Sequence, residues 1–550
     1  MSYDVKTIKA PRLTGPFLKA FTYILENRIS RQFVLAKLFK DAGIHDFRNL
    51  QIQEQPTFYP IQHNQGKQTV SHPQQQQTYE SKKRPWVDVN TIAKAYRAKE
   101  ITPIEIAEHV IQRIRQHNPK LSIFIRWNEE DILAQAKASA NRFLNGQPIG
   151  LLDGIPIAVK DEIDQEGYPT TVGTSFLGNQ SAKQDGTSVA RLRKSGAILI
   201  GKANMHEIGI GVTGYNSHYG TPENPYGLKH YPGGSSSGSA AAVAAGFCPI
   251  AVAADGGGSI RIPSAFCGTV GLKPTFGRVS EHGAAPLCWS VAHIGPIGTC
   301  AQDVALAYMT MAGPDPEDPL SQYQPDLIIP QLDNMDLTGI RIGIFSEWFH
   351  DADQNIVVAC ENMIKHFENC GAQIIPIDIP NLEAIRVAHM ITIASEIITA
   401  MSPHYLDNLM EFGYDVRINL AIALELTNKD YVKAQQVRTL AMKQLNNLFN
   451  TIDVIATPAT ACTAPPIKKD ALSIGESDLE TLSKVMRFAP LANLTGNPAI
   501  VFPVGYNSKG LPIGMQLIGN HWQEHLLLEI ARVSEYFITI QKPNTCYPIL

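Results

Sequence analysis

The sequence lacks the marks of several common protein classes. Its 550 residues carry 47 basic against 51 acidic side chains, and this balance argues against nucleic acid as a partner. The eight cysteines form no C-x-x-C pair, so reduced core thiols are expected. Of the sixteen histidines, His521 and His525 alone have H-x-x-x-H spacing, in polar or helical surroundings without a distinctive motif. We therefore expect neither a metal nor a cofactor.

Long uninterrupted apolar runs are also absent. No stretch approaches the roughly 18 residues that a membrane-spanning helix needs, so we expect no transmembrane segment. The first apolar stretch begins only at Phe17 and is interrupted by charges, so no secretory signal peptide is indicated and we expect a cytoplasmic protein. With 44% hydrophobic residues the chain can nevertheless bury a large core.

Two glycine runs that contain serines follow one another in the middle of the chain. Residues 233–238 read GGSSSG and residues 256–261 read GGGSIR. Glycine lets backbone N–H groups approach a substrate closely, and clustered N–H groups can stabilise developing negative charge. A serine within such a cluster is placed to attack a carbonyl carbon. The pattern therefore indicates a site of nucleophilic catalysis.

Other interpretations of the glycines fit less well. A flexible linker lacks apolar neighbours such as residues 240–245 (AAAVAA), which predict a short buried helix. Neither run ends like a phosphate-binding loop, and GIGVTG at 209–214 lacks the strand and the acidic residue of a dinucleotide site. Ser236 lies at the centre of a G-x-S-x-G elbow, but a loop is predicted where that motif needs a strand. Ser236 as the nucleophile stays an alternative.

A serine hydroxyl needs a base within reach, and Lys160 is the candidate. It follows residues 155–159 (IPIAV), which predict a buried strand. A lysine at a strand end is most often a surface residue. A desolvated lysine, however, can lose its proton and then accept one from a serine.

Together these segments resemble a known family. GIPIAVKD (154–161), GGSSSG (233–238) and DGGGSIRIP (255–263) are similar to the amidase signature family, and within it to the plant-type fatty acid amide hydrolases. Similar segments run from VKTIKAPRLTG (5–15) to LPIGMQLIG (511–519), so the resemblance covers nearly the whole chain. It implies an α/β fold with a mixed central β-sheet sandwiched by helices and an N-terminal helical cap. The alternation of predicted strands with long helical stretches agrees with an α/β fold.

The resemblance implies a Ser-Ser-Lys relay. Ser259 would be the nucleophile that forms the acyl-enzyme. Ser235, held by a cis peptide bond, would pass the proton between Ser259 and Lys160. Amide cleavage needs an activated nucleophile and a proton for the leaving nitrogen, and one relay can supply both.

The resemblance also implies an oxyanion hole. Its donors would be the backbone N–H groups of Gly256, Gly257, Gly258 and Ser259. The side chains expected to hold the glycine turns in place are those of Ser236, Asp255 and Arg261. Loss of one oxyanion donor typically reduces transition-state stabilisation by about 3–4 kcal/mol. We therefore expect that adding a side chain at Gly257 or Gly258 strongly lowers activity.

Two positions depart from the pattern of many family members. Many members have Lys-Asp-Asn after the strand, whereas this chain has Glu162 in place of the asparagine. Many have a threonine on each side of the aspartate, whereas Ala254 and Gly256 flank Asp255 here. We expect neither departure to touch the relay, and both to bear only on the subgroup of substrates.

Residues 1–60 predict the N-terminal helical cap. The first 50 residues carry nine basic and four acidic side chains. Apolar residues with helical spacing predict one apolar helix face: Phe17, Phe21, Ile24 and Leu25. Periodicity alone favours docking of this face on the catalytic domain or a dimer partner. The resemblance instead points to peripheral membrane contact through residues 10–40.

The remaining chain divides into two parts. Residues 61–84 are polar, include four consecutive glutamines, and predict a flexible linker. Residues 85–550 form the predicted amidase signature catalytic domain. We also expect a homodimer.

The function implied by the resemblance is hydrolysis of N-acylethanolamines and other fatty acid amides, small-molecule lipid substrates, to a free fatty acid and an amine. A short-chain or general amidase and a glutamyl-tRNA amidotransferase A-type subunit share the relay and stay alternatives. A non-catalytic scaffold is a third alternative, which the presence of all three relay residues disfavours.

Overall fold

The computed structural model describes residues 3–6, 8, 10–62 and 84–550. The predicted linker falls mainly on residues 63–83, which lie outside the described residues. The helices of the described part are α1 (Gly15–Glu26), α2 (Arg28–Asp41), α3 (Ile44–Asn49), α4 (Val89–Ala98), α5 (Pro103–Leu121), α6 (Glu129–Leu144), α7 (Thr187–Lys194), α8 (Ser237–Ala244), α9 (Arg261–Cys267), α10 (Ala301–Met311), α11 (Ser346–Phe349), α12 (Gln354–Asn369), α13 (Leu382–Asn408), α14 (Tyr414–Ala423), α15 (Asn428–Leu448), α16 (Leu479–Met486), α17 (Pro490–Thr495) and α18 (Glu524–Ser534).

The strands form one large mixed sheet and one small antiparallel pair. Their bounds are β1 (Leu13–Thr14), β2 (Phe124–Arg126), β3 (Pro156–Lys160), β4 (Ile198–Ala203), β5 (Ile250–Ala254), β6 (Val270–Lys273), β7 (Ile294–Gly298), β8 (Arg341–Ile344), β9 (Gln373–Pro376), β10 (Val454–Pro458), β11 (Glu476–Ser477), β12 (Ala499–Tyr506) and β13 (Pro512–Gly519). The large sheet has the order β2-β4-β3-β5-β7-β6-β12-β13-β10-β8-β9, and β1 pairs with β11. The predicted α/β fold with a mixed sheet sandwiched by helices is confirmed.

The centre of the sheet is covered on both faces. Strands β3, β4 and β5 are parallel to one another and fully buried, as continuous apolar runs in a covered sheet should be. Helix α8 is buried along its whole length and packs on β5, because its small alanines allow close approach. This placement brings the two serine-bearing glycine runs to the same end of the sheet.

Helix α1 is confirmed, but the predicted buried face is partly wrong. Leu18 and Leu25 are fully buried against Ile418 and Ala421 of α14. Phe17, which we predicted on the docked face, is 77% exposed. The helix carries apolar residues on both sides, and periodicity alone does not tell which side meets the protein.

Much of the basic character of the N-terminal segment is used in docking. Three of its arginines form ion pairs with acids of the later chain: Arg12 with Asp470 (2.7 Å), Arg31 with Glu425 (2.6 Å) and Arg48 with Asp430 (2.7 Å). The one acid of α1, Glu26, pairs with Arg417 of α14 at 2.6 Å. These contacts hold the N-terminal helices on α14 and α15.

Residues Leu382–Glu411, which comprise α13 and the 3₁₀ turn after it, are long and apolar enough to cross a membrane by length and composition. The expectation from the sequence concerned uninterrupted apolar runs, and Glu383, Arg386 and Glu396 interrupt this one, so the absence of a transmembrane segment stays a prediction. Half of the apolar window is buried inside the protein, and α13 packs on α15 and α17. A core helix has these properties too.

Candidate active site

Lys160 lies at the carboxyl end of β3, beside the end of β5. The two strands are parallel neighbours, with Val159 opposite Val252, so their carboxyl ends meet at one edge. The Lys160 amine is buried and donates a hydrogen bond of 3.2 Å to the Ala254 carbonyl. The strand end thus carries a desolvated amine and not the surface lysine that is usual at such a position.

The first glycine run brings Ser235 to this amine. Lys160 Nζ and Ser235 Oγ are 2.8 Å apart, and both side chains are buried. The peptide bond between Gly234 and Ser235 is cis, as the resemblance implies. The Ser236 hydroxyl donates at 3.1 Å to the Ala254 carbonyl, the acceptor that the Lys160 amine also uses.

The second glycine run is organised by Asp255. One carboxylate oxygen accepts the N–H of Gly258 at 2.6 Å, and the other accepts the N–H of Ile260 at 3.1 Å. The Arg261 guanidinium donates to both oxygens. Burial would raise the pKa of Asp255, but Arg261 overrides it and holds that pKa well below its usual range. Asp255 and Arg261 therefore lie where we predicted supports of the glycine turn.

The predicted oxyanion donors divide into two groups. The Gly258 N–H is engaged by Asp255, so it is not available in the way we expected. In the described part of the chain, no hydrogen-bond acceptor faces the N–H groups of Gly256, Gly257 or Ser259. Of these three residues, Gly256 and Ser259 line the same cavity as Lys160.

His389 on α13 is a residue that sequence reasoning missed. Its Nε2 lies 2.8 Å from the Gly256 carbonyl, which can only accept, so Nε2 carries the proton. Burial lowers the pKa of His389 to about 4, which keeps the ring neutral at physiological pH. In a trans peptide the N–H points opposite to the carbonyl, so this bond directs the Gly257 N–H away from His389. An isolated histidine in an apolar helix gives no sequence signal of this role.

The predicted relay residues line one cavity. Lys160, Ser235 and Ser259 lie on its wall with Gly256. The remaining wall is mostly apolar and consists of Ile208, Gly209, Leu287, Cys288, Ile393 and Ile397, beside Ala254 and Glu162. Among the described residues, no cluster of three or more His, Cys, Asp or Glu is arranged to hold a metal ion.

Glu162 touches the relay, which corrects our expectation that its departure from the family pattern would not. Its carboxylate oxygen Oε2 lies 2.6 Å from Lys160 Nζ. Both side chains are almost completely removed from solvent. A sequence signal existed, because residues two apart at the end of a strand can lie on the same side.

Two further titratable groups lie near Glu162. Burial, and then Glu396 and Glu162, raise the pKa of the Cys288 thiol. Desolvation, and then Asp318 and Glu162, raise the pKa of the Glu281 carboxyl. Glu162 is the carboxylate that pairs with Lys160.

The sequence is similar to amidases over most of its length. A sequence model of the family described as Amidase matches residues 105–528. The fatty acid amide hydrolase of Oryza sativa subsp. japonica is 39% identical over 587 aligned positions, which cover 100% of this chain and 96% of the rice protein.

Other relatives share the central part. The A subunit of the glutamyl-tRNA(Gln) amidotransferase of Coxiella burnetii (strain RSA 493 / Nine Mile phase I) is 37% identical over 465 positions, which cover 79% of this chain and 94% of the Coxiella protein. The structure of the peptide amidase PAM with the competitive inhibitor chymostatin has a TM-score of 0.74 at 26% identity and covers 83% of this chain and 98% of that one.

Proposed function

This chain belongs to the amidase signature family and is an amide-hydrolysing enzyme, and from that premise we propose that it cleaves fatty acid amides, N-acylethanolamines in particular, through an acyl-enzyme on Ser259. The observation that carries the proposal is the 2.8 Å contact between Lys160 Nζ and Ser235 Oγ in a cavity that Ser259 shares and whose remaining wall is mainly apolar.

The relay activates the nucleophile. Neutral Lys160 accepts the proton of Ser235, and Ser235 takes the proton of Ser259 as Ser259 Oγ attacks the amide carbon. The new C–O bond forms while the carbonyl electron pair moves to oxygen. Buried neutral lysine is suited to this task because burial disfavours its charged form.

The oxyanion is stabilised by backbone donors. We assign this role to the N–H groups of Gly256, Gly257 and Ser259, because the Gly258 N–H is engaged by Asp255. Donors fixed before the reaction need no reorganisation when charge develops. The same relay then returns its proton through Ser235 to the amide nitrogen, the C–N bond breaks, and water releases the fatty acid from Ser259.

Apolar side chains along α13 support the proposal that the substrate carries a long acyl chain. Ile393 and Ile397, one and two turns beyond His389, reach the cavity from α13. Ile397 belongs to a buried apolar cluster that continues to Met401 and Phe412. We therefore propose that the reacting amide lies in the cavity and that the acyl chain follows α13.

Peripheral membrane contact is part of the same proposal. Phe17, Ile29 and Phe33 of α1 and α2 are 75% exposed or more, and Leu406 near the end of α13 is 84% exposed. Large exposed apolar side chains favour an interface with lipid or protein. We propose that this face meets a membrane from the cytoplasmic side and that the enzyme is a homodimer. Vesicle flotation and light scattering of the same preparation test the two statements separately.

The amidotransferase alternative rests on the 37% identity to the Coxiella protein. The rice hydrolase also aligns with the part of this chain that the amidotransferase match leaves uncovered. Purified protein is therefore assayed in parallel with a long-chain N-acylethanolamine, a short aliphatic amide and glutamine. We expect the lipid amide to be hydrolysed best. Preference for the short amide or for glutamine supports the respective alternative, and no turnover of any supports a scaffold.

The nucleophile is tested with Ser259→Ala, with Ser236→Ala as the control. We expect Ser259→Ala to lose covalent labelling by a fluorophosphonate probe and to lower amide hydrolysis at least about a thousandfold, because nothing else forms the acyl-enzyme. Ser236→Ala should keep its labelling. Labelling that persists in Ser259→Ala and disappears in Ser236→Ala would point to the G-x-S-x-G elbow instead.

A further inference from the structure

We propose that Glu162 is a positioning residue of the relay, whose carboxylate holds the Lys160 amine against Ser235 and stabilises the ammonium that forms there during acylation. This inference rests on the proposed function, because it extends the Ser-Ser-Lys relay by a fourth member. Glu162 reaches the reacting atoms only through Lys160.

The contacts of Lys160 Nζ fit both of its protonation states. Three acceptors surround the nitrogen: Glu162 Oε2 at 2.6 Å, Ser235 Oγ at 2.8 Å and the Ala254 carbonyl at 3.2 Å. An ammonium donates hydrogen bonds to Ser235 and Ala254 and pairs with the Glu162 carboxylate through its charge. A neutral amine keeps its hydrogen bond to Ala254 and offers its lone pair to the Ser235 hydroxyl. Glu162 and Ala254 thus hold the nitrogen beside the serine.

The Glu162 carboxylate has Lys160 as its cation. Asp161, its neighbour in the chain, faces Lys202 at 3.4 Å and accepts hydrogen bonds from the N–H groups of Thr171 and Gly173. The Asp161 carboxylate therefore pairs with Lys202, and Glu162 is the carboxylate that pairs with Lys160.

The other titratable groups near Glu162 do not replace it. Burial and neighbouring acids raise the pKa values of Cys288 and Glu281, which disfavours their charged forms. The Glu396 carboxylate accepts hydrogen bonds from the Ser290 backbone and from the Tyr431 hydroxyl. One fixed negative charge, that of Glu162, therefore adjoins the amine.

The step that this charge assists is the first proton transfer. As Ser259 Oγ bonds to the amide carbon, its proton passes to Ser235 and the Ser235 proton passes to Lys160. A positive charge appears on Lys160 and a negative charge on the amide oxygen. The carboxylate stabilises the first and the backbone donors stabilise the second. When the C–N bond breaks, the proton returns through Ser235 to the leaving nitrogen and Lys160 is neutral again.

Removing the charge should therefore have two effects that a structural role would not produce together. In Glu162→Gln the ammonium loses its anionic partner, so Lys160 is neutral at lower pH and the acid limb of kcat/KM should move down by about one pH unit. The plateau above that limb should fall by about 10- to 100-fold, because the ammonium formed during acylation is less stabilised.

The experiment measures kcat/KM for a long-chain N-acylethanolamine and the rate of fluorophosphonate labelling between pH 5 and 10. It compares the wild-type enzyme with Glu162→Gln, Glu162→Asp and Glu281→Gln. Glu162→Asp keeps the charge, so its acid limb should lie closer to that of the wild type. Glu281→Gln is the matched control, because it replaces a neighbouring acid that does not pair with Lys160. It should leave both the acid limb and the plateau unchanged.

The outcomes separate this inference from the proposed function. An unshifted acid limb in Glu162→Gln overturns the role of Glu162, whatever the plateau. If Glu162→Gln does not fold, the acid limb of Glu162→Asp decides: the shorter side chain moves the charge away from the amine, so a limb at lower pH supports the inference and an unmoved limb overturns it. A wild-type enzyme that is labelled at Ser259 but does not hydrolyse the lipid amide overturns the proposed substrate only, and the labelling profiles still test Glu162.

Discussion

Asp255 is the residue on which the geometry of the loop that carries Ser259 depends. It binds two backbone N–H groups of the loop and the Arg261 guanidinium, and Asn493 donates to the same carboxylate at 2.9 Å. Every one of these partners is buried. A buried ion pair with such extra hydrogen bonds is costly to break from one side, because the remaining charge has no partner.

Asp255→Asn should therefore destabilise the protein by about 3–5 kcal/mol and lower activity, since Arg261 stays buried without its anion. The effect depends on pH. A carboxyl whose pKa is held below its usual range stabilises the fold above about pH 4 and loses this contribution as pH falls toward the folded value. We expect the difference in urea-unfolding free energy to be constant between pH 5 and 8 and to shrink below pH 4.

Asp470→Asn is the matched control. Asp470 also pairs with an arginine, Arg12, but its side chain is 51% exposed. Exposed ion pairs contribute little because water screens them, so this variant should unfold like the wild type. Equal effects of the two substitutions would contradict the importance of burial at Asp255.

The candidate site could be predicted from sequence only in part. Lys160, Ser235 and Ser259 stand in distinctive motifs, and the structure brings all three to one cavity. Gly258 shows the limit of a motif, because the chain alone does not tell that its N–H is taken by Asp255. His389 comes from a helix more than a hundred residues away, so only the tertiary fold brings it to Gly256.

Helix α1 has one side that is buried against α14 and another that is exposed. Leu18 packs on α14, whereas its neighbour Phe17 points outward. The apolar spacing of the sequence predicted the helix correctly, since its existence follows from local pattern. The choice of buried face depends on where α14 lies, and the sequence pattern does not contain that information.

Neighbouring substitutions in α1 should separate docking from membrane contact. Leu18→Ala removes a fully buried side chain and should destabilise the docked helix by about 2–5 kcal/mol. Phe17→Ala should leave stability unchanged, because Phe17 is exposed, but should weaken binding to vesicles that contain anionic lipid. Thermal unfolding and vesicle flotation of both variants make the test. If Phe17→Ala binds vesicles like the wild type but forms fewer dimers, this face meets a second copy of the chain.

At the scale of the whole molecule, Asp303 lies at a contact between segments that are far apart in the sequence. Its carboxyl accepts the N–H of Val89 at the start of α4 and the hydroxyl of Thr299. Ala301, at the start of the same helix as Asp303, contacts the C-terminal part of the chain, because Glu535 accepts the Ala301 N–H. Glu535 also pairs with Arg84. No local sequence pattern links these segments, so this junction could not be predicted before the fold was known.

Asp303 should make the stability of the whole protein fall between acid and neutral pH. Burial raises its pKa to about 7, so the folded protein keeps a proton that the unfolded chain loses near pH 4. Stability from this site is complete below about pH 4 and is lost as pH rises toward 7. Asp303→Asn mimics the protonated carboxyl, because its amide oxygen can accept the Val89 N–H and its NH2 group can donate to the Thr299 oxygen. In scanning calorimetry we expect its Tm to exceed that of the wild type at pH 7.5, by a margin that disappears at pH 4. A Tm lowered equally at both pH values would show that Asp303 is charged in the folded protein.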